Sequence, residues 1–196
     1  LTEVMASERG LVVDREAYES RMEVARAKSR RGDHGEQRMT LPPEALGSLQ
    51  SINVHATDDH LKFGHPVGSA RIKAIWDGHA FVEHVNATVP AGLVLDRSNF
   101  YAEQGGQIAD MGTAILESTS DIFAIDDVQR FGDWILHIGA ARSGTIKVGD
   151  EVALRLDAPR RHRIESNHTG THLLNHALRS VLGDEIEQRG SMVADD

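Results

Sequence analysis

Two histidines, His168 and His172, stand four residues apart in the run Asn-His-Thr-Gly-Thr-His. On a helix four residues advance by about 400°, so both imidazoles leave from nearly the same side, one turn apart. That is the geometry by which one helix offers two nitrogen ligands to a single Zn²⁺. Two ligands leave a tetrahedral site half made, and the other histidines of the eleven are scattered, none forming an obvious completing pair. No Glu follows the first histidine, so the metalloprotease form of this spacing is not supported. The alternative is two ordinary imidazoles on a wet helix face. A second constellation is Phe100-Tyr101-Ala102-Glu103-Gln104-Gly105-Gly106-Gln107, followed by Asp110 and Gly112. Adjacent glycines permit unusual torsions and close approach of another backbone or a ligand. Gln107 brings both a donor and an acceptor, suited to a ribose or an ester; the plainer alternative is a hairpin turn. Third, Arg160, Arg161 and Arg163, with His162 among them, form a compact basic cluster beside the histidine run. They suit a phosphate backbone, or equally the solvated start of a helix.

These residues need elements to hold them. Residues 1–31 read as helical: Thr2 caps a short helix that stops at Gly10, and Asp14 caps a second one running through Arg31, with Tyr18, Met22 and Ala25 at helical spacing amid mixed charge. Residues 32–50 read as a linker, because Gly32 to Pro43 is polar and breaks the pattern. From residue 51 to 157 the period becomes that of strands. The candidates are Ser51–Ala56, Ser69–Trp76, Ala80–Val85, Leu93–Leu95, Thr113–Glu117, Ile122–Gln129, Trp134–Ile138 and Glu151–Leu156. Asp77-Gly78, Pro90-Ala91-Gly92, Phe131-Gly132-Asp133 and Gly149-Asp150 punctuate them, which predicts an antiparallel barrel or compact sandwich. A helix over 159–182 follows, with Pro159 in its first turn and Gly183 just past its end. Ile164, Leu173, Leu174, Ala177, Leu178, Val181 and Leu182 make one apolar arc on it, far round the cylinder from the histidine pair. The arc predicts that the helix packs on the barrel or on another chain, and the pair's position argues against buried core histidines. Glu187–Ala194 reads as one strand of a further sheet, so that residues 158–196 open a new domain.

Composition bounds the function. The chain has 196 residues, 40% apolar and 26% charged, enough for a packed core. It has no cysteine, which removes disulfides, thiol nucleophiles and thiolate ligands from this stretch. Its net charge of -9 argues against a dedicated, strongly basic nucleic-acid binder, though not against one local contact with RNA. No run approaches the roughly 18–20 apolar residues of a membrane span, and the first residues carry no signal pattern. A cytoplasmic location is expected. The first residue is Leu, as in an excised or processed chain.

Three segments together resemble alanyl-tRNA synthetases. Leu1-Thr2-Glu3-Val4-Met5 through Gly10-Leu11-Val12-Val13-Asp14 is similar to the end of that family's helical tRNA-recognition region. Leu95-Asp96-Arg97-Ser98-Asn99-Phe100 through Gln107 is similar to the Gly-rich signature of its barrel. Arg163 to Ala194, with Asn167-His168-Thr169-Gly170-Thr171-His172 and Glu187-Gln188-Arg189-Gly190-Ser191, is similar to the opening of its editing domain. The resemblance implies a translation-factor-like antiparallel barrel, mainly β, preceded by a helical segment and followed by the first helix and strand of an α+β editing domain. It implies that His168 and His172 are zinc ligands, completed by a Cys-x-x-x-His pair beyond residue 196, and that Thr171 and Gln188 line the editing pocket. It implies tRNA(Ala) as partner, met here by Gly105, Gly106, Gln107, Arg160, Arg161 and Arg163, with ATP and Mg²⁺ used in an aminoacylation core outside this chain. Gly170 departs from the family's usual Ala, at a helix-propensity cost of about 1 kcal/mol. A freestanding editing deacylase and a non-catalytic RNA-binding connector are the alternatives; segment 1–31 favours the synthetase.

Overall fold

The computed structural model describes residues 10, 12, 14–31, 38–63, 69–183, 185 and 191–195. The chain divides into two compact units, one of residues 1–38 with 178–186 and the other of residues 39–177 with 187–196. In the first, helix α1 (Arg15–Arg31) starts where expected: Asp14 Oδ1 accepts the Ala17 N–H at 2.9 Å, and the Asp14 carbonyl accepts that of Tyr18 at 3.1 Å. Gly10 has φ +67, the left-handed backbone that stops a helix. The short helix expected before it lies outside the described residues.

The second unit is a closed antiparallel barrel. Its strands are β1 (Ala70–Trp76), β4 (Pro90–Leu95), β5 (Gly112–Leu116), β6 (Ile122–Phe131), β7 (Trp134–Ala141) and β9 (Glu151–Leu156), paired in the order β1-β4-β7-β6-β5-β9 and closed by β9 on β1. β2 (Phe81–Val82) extends β1 as a hairpin, and β3 (His84–Asn86) pairs with β8 (Thr145–Lys147) in a separate ribbon. Ala80–Val85 was expected as one strand; it divides at Glu83 because its two ends pair with different strands. β8 escapes the sequence reading altogether, being only three residues long. Period-two alternation sends Ile72, Leu93, Leu95, Phe123, Ile125, Ile135 and Val152 into the barrel. On β1, β4 and β7 the intervening Ala74, Trp76, Val94, Trp134 and Leu136 are buried too, in a second cluster outside the barrel wall.

That outer cluster corrects the later part of the linker expected over residues 32–50, whose residues 32–37 lie outside the described residues. Residues 43–51 form helix α2 (Pro43–Ser51), whose Ala45 and Leu49 pack on the outer cluster, Leu49 with no exposed surface. Pro42-Pro43 hid the helix as loop chemistry, whereas Pro43 occupies a first-turn position that needs no N–H. The expected strand Ser51–Ala56 is absent as well. Ser51 ends α2, Asn53 turns the chain at φ +61, and Trp134 Nε1 and the Thr57 hydroxyl tie residues 54–57 to the barrel by backbone bonds to Val54 and Leu95 at 3.2 and 2.9 Å. After β9, helix α3 (Ala158–Leu182) leaves the barrel and ends at Gly183, φ +110, as read from the sequence. No helix among the described residues is long and apolar enough to cross a membrane.

One histidine is wholly interior. His137 on β7 has no exposed surface, its Nε2 lies 2.7 Å from Ser98 Oγ and its Nδ1 lies 3.2 Å from the Leu93 carbonyl. The carbonyl can only accept, so Nδ1 carries the proton and the Ser98 hydroxyl donates to Nε2. Ser98 Oγ in turn accepts the Phe100 N–H at 3.1 Å. A Ser–His pair this close has nucleophile–base geometry, but both residues are buried and wire the barrel rather than face a substrate. Burial pushes the imidazole down to about 4 from 6.5, against a smaller upward effect of the Leu93 carbonyl. The unfolded chain therefore binds a proton that the folded one refuses between those values. Stability is expected to rise by roughly 3 kcal/mol from pH 4 to 6.5 on this account. Urea unfolding across that range should show the slope in the native chain and its loss in His137→Gln.

Candidate functional site

The site forms where α3 lands on the barrel. Asp157 starts the helix, its Oδ1 accepting the Arg160 N–H and its carbonyl that of Arg161, both at 3.0 Å. One turn in, Arg161 is buried to 9% exposure and makes four hydrogen bonds. Its Nε donates to Asp110 Oδ1 at 3.1 Å, its Nη2 to Asp110 Oδ2 and to the Asn99 carbonyl (3.0 Å), and its Nη1 to the Lys62 carbonyl at 2.6 Å. Asp110 Oδ2 also accepts the Tyr101 N–H at 2.6 Å. A planar, five-donor guanidinium thus joins the helix to the Asn99–Tyr101 loop, to Asp110 and to the 3-10 turn His60–Phe63. The bonds that Arg161 makes are thus to the protein itself. Arg160 donates to the Ala109 carbonyl at 2.7 Å and lies 3.6 Å from Asp195; Arg163, half-exposed, lies 3.3 Å from the same carboxylate.

The Gly-Gly-Gln run is a tight turn closed by reciprocal backbone bonds between Gln104 and Gln107 at 3.1 and 3.2 Å. Gly106 has φ +85, and a Cβ there would lie 2.0 Å from the Ser191 carbonyl oxygen, so this position requires glycine. The close approach lets residues 191–195 run beside the turn. Val193 N–H donates to Gly106 O at 2.7 Å, Ile108 N–H donates to Val193 O at 3.1 Å, and Asn167 Nδ2 donates to Ala194 O at 2.8 Å. The expected strand Glu187–Ala194 is represented among the described residues by this single parallel bridge, Gln107 to Val193.

His168 and His172 stack one turn apart on α3, ring centroids 5.0 Å apart and planes inclined at 44°. His168 is half-buried, with Nδ1 2.7 Å from Gln107 Oε1; His172 is exposed. The helix does pack on the barrel, but by a mostly polar side. Arg161 and His168 share the docking face with Ile164, which was read as part of the apolar arc but, four residues before His168, projects to the same side; Leu173 and Leu174 of that arc are 65% and 61% exposed. The barrel presents Asp110, Gln107 and carbonyls at this edge, so a polar stripe is what fits it. Beside His168 opens a cleft of about 390 Å³ lined by Lys62, Phe63, Tyr101, Gln107, Glu165 and Thr169, among others. Among the described residues no group of three His, Cys, Asp or Glu could hold a metal ion.

Comparison with known protein sequences gives the family. A family profile described as tRNA synthetases class II (A) matches residues 1–160. Over nearly the whole chain, the cytoplasmic alanine–tRNA ligase of Dictyostelium discoideum is 41% identical across 98% of it, the alanine–tRNA ligase of Candida albicans 39% across 99%, and the cytoplasmic alanine–tRNA ligase of Caenorhabditis elegans 41% across 100%. The chain belongs to the alanyl-tRNA synthetase family. It spans about a fifth of the length of these relatives, 20–22%.

Against the family's pattern, the structure brings Gln107 and His168 together, and places Thr171 on the opposite flank of the histidine stripe from the cleft. The Thr171 hydroxyl donates to the Asn167 carbonyl at 2.9 Å, leaving its oxygen lone pairs to accept from a ligand. Gln188 lies outside the described residues. Sequence reasoning missed Lys62, Phe63, Glu165 and Thr169 in the cleft wall. Thr169 sits in the histidine run and Glu165 one turn before His168 on the same helix, both within reach of helical projection; the first two come from a segment with no readable period.

Because Arg161 leaves Asp110 buried and uncompensated when truncated, Arg161→Ala is expected to destabilise the 39–177 unit by about 3–5 kcal/mol. Arg161→Lys should recover little, since an ammonium cannot reproduce the fork. Urea unfolding followed by Trp fluorescence checks both.

Proposed function

We propose that this chain is the barrel and the opening of the editing domain of an alanine–tRNA ligase acting in the cytoplasm, and that α3 carries half of a zinc site for hydrolysing Ser-tRNA(Ala) and Gly-tRNA(Ala). The observation that carries the reading is the stacked His168–His172 pair set at a cleft by the Gly-Gly-Gln turn. The donor set fits zinc: two imidazoles on one helix face, one already hydrogen-bonded through its second nitrogen, as histidine ligands usually are. When bound, zinc supplies a Lewis acid or an activated water beside the ester. The chain's own residues bind and orient. Thr171, with its hydroxyl proton committed to Asn167, accepts from the ammonium of the aminoacyl group, and Gln188 lines the same pocket by resemblance. The exposed turn at Gly105 and the Arg163 side chain face the tRNA 3′ end, while Arg160 and Arg161 hold the helix that carries the ligands. Water attacks the ester carbonyl, the bond to the ribose oxygen breaks, and free amino acid and tRNA leave.

The logic of such a site is discrimination. A pocket that accepts alanine cannot strongly reject glycine, which is smaller, or serine, which adds only a hydroxyl, so a second, hydrolytic site removes the errors. Alanine activation with ATP and Mg²⁺ belongs to residues outside this chain.

Two outcomes test the reading. In the full-length ligase, His168→Ala with His172→Ala should lower deacylation of Ser-tRNA(Ala) by at least about 100-fold with alanylation of tRNA(Ala) retained; unchanged deacylation overturns it. The 196-residue chain alone should bind zinc no tighter than micromolar. A submicromolar 1:1 affinity that disappears in the same double variant would show that the half-site suffices.

A further inference from the structure

We infer that Gln107 is the residue that positions His168, by fixing which imidazole nitrogen carries the proton. The inference concerns a contact between two elements far apart in sequence, 61 residues, and in its zinc consequence it rests on the reading above. Gln107 is 8% exposed and its amide oxygen lies 2.7 Å from His168 Nδ1. An amide oxygen accepts and cannot donate, so the neutral ring must carry its proton on Nδ1. Nε2 is then left with its lone pair, on a ring whose centroid lies 5.0 Å from that of His172. The free imidazole in water prefers the opposite tautomer, with the proton on Nε2. Gln107 therefore converts His168 from a ring whose Nε2 is blocked into one whose Nε2 can coordinate or accept.

The backbone around Gln107 is built for such a task. Its N–H and C=O are both bonded to Gln104, its neighbour Ile108 is bonded to Val193, and Gly106 is pressed against Ser191. The amide is thus held on the wall of a packed turn rather than on a free loop. Arg161, one face-repeat below His168, locks the helix against the same wall through Asp110. Donor and acceptor are both pinned, so the 2.7 Å contact is preorganised. A hydrogen-bond acceptor behind a ligating histidine commonly changes metal affinity by about 10- to 100-fold.

Two measurements test the inference. In the 196-residue chain, with histidine nitrogens labelled and the pH near about 8 so that the ring is neutral, nuclear magnetic resonance should find His168 protonated on Nδ1. In Gln107→Met, which keeps length and volume without the acceptor, it should revert to Nε2, and in Gln107→Glu it should remain on Nδ1. An Nε2-protonated ring in the native chain overturns the inference outright, with or without zinc. In the full-length ligase, competition with a chromophoric chelator should show zinc affinity falling about 10- to 100-fold in Gln107→Met and restored in Gln107→Glu, with the unfolding midpoint of the zinc-free protein unmoved. Equal or tighter binding by Gln107→Met sinks the positioning role. If instead the native ligase binds no zinc, or His168→Ala binds it equally well, the failure lies with the zinc reading and the tautomer measurement still decides the Gln107–His168 pairing.

Discussion

The Arg161–Asp110 pair is the constraint on which the site depends. Both side chains are buried, and beyond Asp110 the guanidinium donates to the carbonyls of Asn99 and Lys62, so that four of its five N–H groups are bonded within the protein. Burying two charges is costly, and their attraction compensates only when the geometry is good and further hydrogen bonds satisfy the remaining donors. What the pair supplies is register: it sets which turn of α3 lies over which residue of the barrel edge. Two turns along the same face, His168 then falls on Gln107. A helix docked through apolar side chains alone would slide more freely, because apolar contact has no direction.

The second determinant is backbone proximity at the Gly-Gly-Gln turn. Gly106 admits the carbonyl of Ser191 where any side chain would collide, and the segment that follows bonds to Gly106, Ile108 and Asn167. The turn is therefore where three parts of the chain meet: the barrel, α3 and the segment 191–195. Arg160 and Arg163 share Asp195 across that junction. The basic cluster that looked like a phosphate patch spends most of its charge inside the protein, which accords with a chain whose net charge is -9.

Much of the fold was legible. Seven of the eight expected strands have counterparts, because alternation and Gly/Asp turns report local geometry. Helix α3 was legible from Pro159 to Gly183 for the same reason, and Asp14 capped α1 as its residue type suggests. The histidine pair followed from spacing alone. Helix α2 was not legible: nine residues beginning in Pro-Pro carry too weak a period, and the runs Ala-Gly-Leu-Val-Leu and Trp-Ile-Leu are doubly buried only because α2 covers their outer face.

The amino-acid sequence by itself determined most of the elements, the family and the side of α3 on which two imidazoles stand, since all three rest on residue order and local geometry. The tertiary structure decided what that side faces. Apolar periodicity pointed the opposite arc at a partner, yet the barrel edge is polar, and it took the stripe bearing Arg161 and His168. Complementarity belongs to two surfaces at once, and neither surface carries it alone in its own stretch of sequence. For the same reason Gln107 and His168 were each singled out as candidates, but their meeting was not: only the closed barrel, with α3 locked on Asp110, brings an amide oxygen within 2.7 Å of the ring.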